Sequence, residues 1–314
     1  MIDRLLSWML RHATTVLAAG VFLGLAAPPL AGALRPFLFV SVFVLLATTF
    51  YRLDWRAVGG YARRPGLTAI IAIGLLVMMP IVVAAVVFEL GLRTALATAL
   101  VLNACGPPIL SSIPFAHLLR LDPALAAMTV FTTTILAPLT IPLMAVKLIG
   151  IDLDIGVAAF MLRLVLLAVG ALVVAGLLRM LVPRQHQARV ERAADGLLVV
   201  FLLVFAVAIM DGVTAALLDR PVVVLDMAIA AFAINISLQV VGAGVSALLG
   251  PRRSLTIGMM NGNRNMALIL AALAGSADVN VLLYMAVGQL PIYVLPALLA
   301  PLYRRLCRVF GEQT

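Results

Sequence analysis

Charge is what this sequence has least of. Acidic side chains number 13 in 314 residues, and charged residues of all kinds make up 11%, less than half the share in an ordinary soluble domain. So few ionised groups cannot cover a water-facing surface, which excludes a soluble globular protein. Cysteine occurs twice, at Cys105 inside an apolar run and at Cys307 near the end of another, which argues against a disulfide framework. There are three histidines and no HExxH helix, GxSxG elbow, GxxxxGK loop or aspartate-rich cation site. The main signatures of metallopeptidases, serine hydrolases and nucleotide-driven pumps are therefore missing. Met78, Met79, Met259 and Met260 have no His or Cys at metal-ligand spacing and read as packing. Neither an enzyme activity nor a metal or cofactor is expected.

What is there is apolar surface: 64% hydrophobic residues and a mean hydropathy of +1.19. A helix crossing about 30 Å of hydrocarbon needs about 20 mostly apolar residues. The chain divides into ten such spans, at roughly 13–30, 35–51, 66–89, 91–119, 122–147, 155–182, 194–217, 221–249, 253–275 and 279–303. All are expected to be helices, because an open strand cannot satisfy its backbone in lipid and the alternation of a barrel is absent.

The net charge of +9 does not point to nucleic acid, because the basic residues lie between the apolar runs rather than on one face or among aromatics. With a cytoplasmic N-terminus, the inside segments hold Arg4, Arg11, Arg52, Arg56, Arg63, Arg64, Arg120, Arg179, Arg184, Arg189, Arg192, Arg252, Arg253, Arg304, Arg305 and Arg308. The outside segments hold Arg35, Arg93, Lys147 and Arg220. Sixteen against four supports ten spans with both termini in the cytoplasm of a multi-pass inner-membrane protein. The N-terminal segment also reads as a signal peptide, with a basic start and small residues near Ala31. The charge count favours keeping it as the first span.

Two spans are interrupted. The fourth contains Asn103-Ala104-Cys105-Gly106-Pro107-Pro108, followed by Ser111 and Ser112, and adjacent prolines break a helix. The ninth contains Gly258-Met259-Met260-Asn261-Gly262-Asn263-Arg264-Asn265 and is expected to unwind there. About 155 residues, close to half the chain, separate Gly106 from Asn261. The interruptions lie five spans apart, and an odd displacement inverts orientation, so the chain reads as two inverted five-helix repeats, 1–150 and 151–314. Interrupted segments at matching places in two such halves point to a transporter's binding site.

The stretch Cys105–Pro138, CGPPILSSIPFAHLLRLDPALAAMTVFTTTILAP, resembles the fourth and fifth helices of the bile acid:sodium symporter family, and GMMNGNRNMALILAAL resembles its ninth-helix motif. The resemblance implies an all-α polytopic membrane fold with crossing discontinuous helices 4 and 9. It further implies a core domain of helices 3–5 and 8–10, a panel domain of helices 1, 2, 6 and 7, and substrate in the cleft between them. Ser112 keeps a serine of the family's sodium ligands. The neighbouring Asn is Ile113, a Ser and a Thr fall on Ala126 and Val130, a Glu and a Gln on Thr256 and Met260, and a third-helix Gln on Leu76. Methyl groups cannot replace the hydration shell of a hard cation, so the family's two sodium sites are expected to be absent.

Arg264 suggests a substitute. A guanidinium at the crossing can neutralise helix C-terminal carbonyls as a bound cation would, or pair with an anionic substrate, and an ionised residue at membrane depth is by default a functional candidate. The helix start near Ile109 to Ser112 offers N–H groups to an anion. The candidate substrate-binding residues are Asn103, Ser111, Ser112, Gln239, Asn261, Asn263, Arg264 and Asn265. Gly106, Pro107, Pro108, Gly258 and Gly262 are the expected helix-breaking positions. Asn235 and Ser237 read equally as interhelical hydrogen-bonding residues, and Thr132, Thr133 and Thr134 as back-bonded to their own helix. His117, Asp211 and Asp226 are protonatable but lie near interfaces. The expected function is transport of a small organic anion, a carboxylate, by alternating access without sodium. A sodium-coupled symporter with displaced ligands, arsenite efflux through Cys105, and a ligand-binding membrane sensor are the alternatives.

Overall fold

Proline opens many of the helices. In the computed structural model, which describes residues 13–53, 55, 59, 65–92, 94–150, 156–273 and 277–311, Pro28, Pro65, Pro123, Pro221 and Pro251 each begin a helix. That position needs no N–H and favours the fixed φ of proline. In chain order the helices are α1 (Ala13–Ala26), α2 (Pro28–Leu34), α3 (Leu38–Arg52), α4 (Pro65–Glu89), α5 (Ala95–Cys105), α6 (Ser112–Leu118) and α7 (Pro123–Ile149). They continue with α8 (Val157–Leu181), α9 (Gln187–Ala208), α10 (Val213–Asp219), α11 (Pro221–Val245), α12 (Pro251–Gly262), α13 (Met266–Leu273), α14 (Val279–Val287) and α15 (Gln289–Gly311). Two of them contain a wider π-turn, Gly74–Met78 in α4 and Leu166–Gly170 in α8. The carboxylate of Asp122 caps α7 by accepting the Leu125 N–H at 2.9 Å, and Gly150, in the left-handed region at φ 63°, ends that helix.

Among the described residues all regular structure is helical apart from one isolated bridge. Among the described residues, seven stretches are long and apolar enough to cross a membrane: Pro28–Arg52, Pro65–Glu89, Pro123–Ile149, Val157–Leu181, Gln187–Asp219, Pro221–Val245 and Val279–Val309. Large apolar side chains such as Ile70, Met180 and Val245 point outward, 70 to 84% exposed, which acyl chains accept and water opposes. The chain is a polytopic, all-helical membrane protein. The first, fourth and ninth expected spans take another form: the 14-residue α1, and the divided pairs α5 with α6 and α12 with α13.

Helix edges depart from the sequence expectation where polar residues extend a helix. Helix α2 passes through a 3-10 turn, Arg35–Phe37, into α3, so the break expected between 30 and 35 is absent. Helix α9 starts at Gln187 rather than 194 and α15 runs to Gly311 rather than 303. Arg189, Glu191 and Arg192 in α9, and Arg304, Arg305 and Arg308 in α15, are good helix formers outside the apolar window. Arg4, Arg11, Arg56, Arg63, Arg64 and Arg93 lie outside the described residues, as do residues 274–275 of the ninth span and the basic start of the signal-peptide reading.

Helices α1, α3, α8 and α9 form one packing group, with α3 and α1 both against α9 and α8 against α3. Helices α4, α5, α6 and α7 pack with α11, α12, α14 and α15 in another, in which α11 and α12 are closely apposed. A Cβ at Gly258 would lie 2.5 Å from the Gln239 carbonyl oxygen, and one at Gly262 would lie 2.5 Å from that of Asn235. Only glycine permits this approach.

Candidate functional site

Helix α5 stops at Cys105 because Gly106 turns extended, at φ -63° and ψ 143°, into two prolines that can neither donate nor fit behind a helical turn. Helix α12 stops at Gly262. The two gaps meet as a minimal antiparallel bridge between Pro108 and Arg264. The Ile109 N–H donates to the Asn263 carbonyl at 2.8 Å, and the Asn265 N–H donates to the Pro107 carbonyl at 2.7 Å. Proline chemistry sets this register, since the first N–H after the break belongs to Ile109. The interruption expected from Gly258 to Asn265 is thus confined to Asn263–Asn265. Gly258 lies inside α12 and does not unwind it, whereas Gly262 is its last residue, and both let α11 come close.

Arg264 is completely buried. Its Nε donates to the Asn261 carbonyl at 2.7 Å, its Nη1 to the carbonyls of Gly106 and Leu75 at 3.0 Å each, and its Nη2 to the Asn261 side-chain oxygen. Four of the five guanidinium N–H groups are thereby directed at protein oxygens. None of these acceptors is a carboxylate. Gly106 and Asn261 lie at the C-terminal ends of α5 and α12, where the helix dipoles are negative. Leu75 lies in the π-turn of α4, whose irregular ladder leaves a carbonyl for an outside donor.

A polar network ties α11 to this crossing. The Tyr303 hydroxyl donates to Gln239 Oε1 at 2.6 Å, Gln239 Nε2 donates to Asn235 Oδ1 at 2.6 Å, and Asn235 Nδ2 donates to the Gly262 carbonyl at 2.8 Å. Asn261 Nδ2 donates to the Leu238 carbonyl at 2.7 Å, and Asn263 Nδ2 to the Met259 carbonyl at 2.8 Å. Asn103 Nδ2 lies 3.4 Å from the Tyr284 hydroxyl. The Thr133 hydroxyl bonds back to the Thr129 carbonyl at 2.6 Å.

Beside the crossing lies a cavity of about 680 Å³, within the range of small-molecule sites. One wall comes from α1, α3 and α9, through residues such as Leu17, Leu46, Thr49, Leu202 and Phe205. The other comes from the crossing, α6, α7, α13 and α15, through Ile109, Ser111, His117, Ala127, Asn265, Ala267 and Tyr293. Of the residues expected to bind substrate, Ser111 and Asn265 line it. Asn103, Ser112, Gln239, Asn261, Asn263 and Arg264 do not; they are buried in the packing around the crossing. Asn265 Oδ1 accepts the Leu268 N–H at 3.1 Å, which starts α13. The hydroxyls of Ser111 and Ser112 and Oδ1 of Asn103 are buried with no hydrogen-bond partner among the described residues.

Sequence reasoning placed Arg52 in a loop and missed Thr49 and Tyr293. On α3, Val42, Leu45, Leu46, Thr49 and Arg52 line the cavity at the spacing of one helix face, followed by Leu53 just past the helix end. That stripe, with a threonine and an arginine at its end, was the available signal.

Among the described residues, most of the positions that resemble sodium ligands carry apolar side chains, Ser112 and Thr256 being the exceptions. Ala126, Val130 and Met260 belong to one buried apolar cluster, with Ile113 packed against it, and Leu76 is buried. The Thr256 hydroxyl donates to the Arg252 carbonyl at 2.6 Å and accepts the Asp122 N–H at 3.0 Å. Methyl and thioether groups do not fit a hard cation.

No curated protein matches the chain. The model of the sodium bile acid symporter family matches residues 37–220, more than half of the chain, a stretch that contains the first broken helix. Members of that family are membrane transporters, and the apolar helices agree with a place in the membrane. The chain belongs to the sodium bile acid symporter family.

Proposed function

We infer that the protein carries a small organic anion, a carboxylate, across the inner membrane by alternating access and without sodium. The observation that carries this reading is the cavity between the two packing groups, with the crossing of the broken helices in its wall. Ten spans in two inverted halves, 1–150 and 151–314, both termini cytoplasmic, would place α4–α7 and α11–α15 in a core and α1, α3, α8 and α9 in a panel. Sliding of one against the other opens the cavity to either side. The apolar cluster at the family's cation positions and the guanidinium of Arg264 support independence from sodium. Arg264 acts as a resident cation: its charge meets the carbonyl ends of α5 and α12 permanently, so no ion need be bound and released there.

Family membership by itself favours a sodium-coupled carrier. Purified protein titrated with small carboxylates, bile acids and arsenite, in sodium and in choline buffers, separates the readings through the shift in thermal unfolding. A carboxylate that stabilises equally in both buffers supports the proposal. Stabilisation that requires sodium overturns its uncoupled part.

A further inference from the structure

We propose that six arginines at one end of the molecule form a binding site for the phosphate group of an anionic phospholipid. The site stands apart from the cavity and does not depend on what the cavity carries. Arg120 lies between α6 and α7, Arg252 and Arg253 in the first turn of α12, and Arg304, Arg305 and Arg308 in the last turns of α15. These segments are distant in the chain and converge in the fold. Leu121 and Tyr303 belong to one apolar cluster with Leu255 packed against it, and Arg252 Nε donates to the Leu121 carbonyl at 3.0 Å.

The charge gathered there is unbalanced. Five of the six arginines are exposed and Arg253 is half-buried. The side chains of Arg120, Arg253, Arg305 and Arg308 have no hydrogen bond or ion pair among the described residues, and Arg304 Nε returns to the Ala300 carbonyl of its own helix at 3.2 Å. Asp122 is the acidic residue in these segments, and its carboxylate caps α7. Arginines of the other packing group are engaged instead. Arg52 Nη1 sits 2.7 Å from Asp195, and Arg179 Nη1 donates to the Leu53 carbonyl at 3.2 Å with its guanidinium 5.9 Å over the Tyr51 ring. Orienting a chain in the membrane requires only a count of basic residues. It does not require that they meet without partners.

Two local preferences are overridden to keep arginine in these places. Helix α6 closes with the Leu121 N–H on the Ala116 carbonyl at 2.8 Å and the Arg120 N–H on the His117 carbonyl at 3.2 Å. Arg120 turns this corner at φ 60°, a conformation that favours glycine. Arg252 and Arg253 stand at the start of α12, where the helix dipole opposes a cation. An anion among the arginines offsets both that opposition and their mutual repulsion. Beside them Val245, Leu248 and Leu302 face outward, Leu248 completely. Acyl chains cover such a surface while the headgroup meets the guanidinium groups; free phosphate would leave it bare.

The test uses the full chain in a zwitterionic detergent, with phosphatidylglycerol and phosphatidylcholine as probes and retained lipid counted by native mass spectrometry. Wild type is expected to retain phosphatidylglycerol about tenfold or more over phosphatidylcholine, because each arginine near a phosphate contributes about fivefold. Arg253→Gln with Arg305→Gln loses most of that preference. Arg189→Gln with Arg192→Gln, which removes the same charge from the start of α9, keeps it. Arg120→Gly weakens the preference about fivefold and raises the unfolding midpoint in lipid-free detergent, because glycine suits the φ of 60°. Equal retention of the two lipids by wild type overturns the proposal. An equal fall in the two double variants also overturns it, because net charge alone then accounts for binding. Inorganic phosphate that stabilises wild type as much as phosphatidylglycerol does overturns the lipid as occupant. Should the patch double variant fail to fold, an unchanged preference in Arg120→Gly overturns the proposal in its place.

Discussion

The Nη1 atom of Arg264 lies 3.0 Å from the carbonyl oxygen of Gly106, 158 residues earlier in the chain, and the same atom reaches the Leu75 carbonyl on α4. One side chain thus joins the break in α5, the irregular turn in α4 and the end of α12.

Removing that side chain leaves several buried carbonyls unpaired, each at about 1–3 kcal/mol. Arg264→Ala is expected to lower the thermal unfolding midpoint sharply in detergent. If the guanidinium acts as a resident cation, low millimolar guanidinium chloride raises the midpoint of Arg264→Ala and leaves wild type unmoved. Arg264→Ala that unfolds like wild type would remove the basis for the resident-cation reading.

Gly258→Ala puts a methyl group against the Gln239 carbonyl, which belongs to helix backbone and cannot swing away. Overpacking of this kind is expected to destabilise by about 1–3 kcal/mol. Gly59→Ala meets nothing within 4 Å and serves as the control. Thermal unfolding of both variants is the measurement.

Carboxylate uptake into proteoliposomes is expected to proceed at the same rate when choline replaces sodium on both sides. A rate that falls tenfold or more in choline would mean that oxygens other than those expected from the family bind the ion.

Cys105 is fully buried and outside the cavity lining, whereas Cys307 is half-buried. Maleimide labelling followed by mass spectrometry is expected to modify Cys307 first. Cys105→Ser places a hydroxyl in an apolar site and lowers stability by about 1–3 kcal/mol, but transport persists and arsenite tolerance is unaffected. Loss of arsenite tolerance in that variant would favour efflux through the thiol.

Much of this arrangement was legible in the sequence, for identifiable reasons. Pro107-Pro108 forbids a continuous helix at any tertiary context, so the break in α5 was visible. Gly262 does end α12, but Gly258 was read as a break because glycine lowers helix propensity; contact with α11 overrides that preference there, and no local pattern carries it. Apart from the Asn261 side chain, the partners of Arg264 are backbone carbonyls, which every residue owns, so Leu75 had no marker. Arg52 was read by charge alone as a membrane-surface residue, and only the position of α9 and α7 around α3 makes it part of a cavity wall.

The π-turn Gly74–Met78 gives α4 a phase that a regular helix would lack. Ile71, ahead of it, and Leu75, within it, belong to the apolar cluster that contains Met260; beyond it, Met79, Val83, Ala84 and Val87 belong to the cluster that contains Cys105. If residues 74–78 closed to 3.6 residues per turn with none removed, one half of α4 would rotate against the other by about 100°. Such a chain could seat the first half or the second, not both, and the Leu75 carbonyl would turn away from the arginine. The wide turn, and not the choice among aliphatic side chains, therefore sets which face each half of α4 presents.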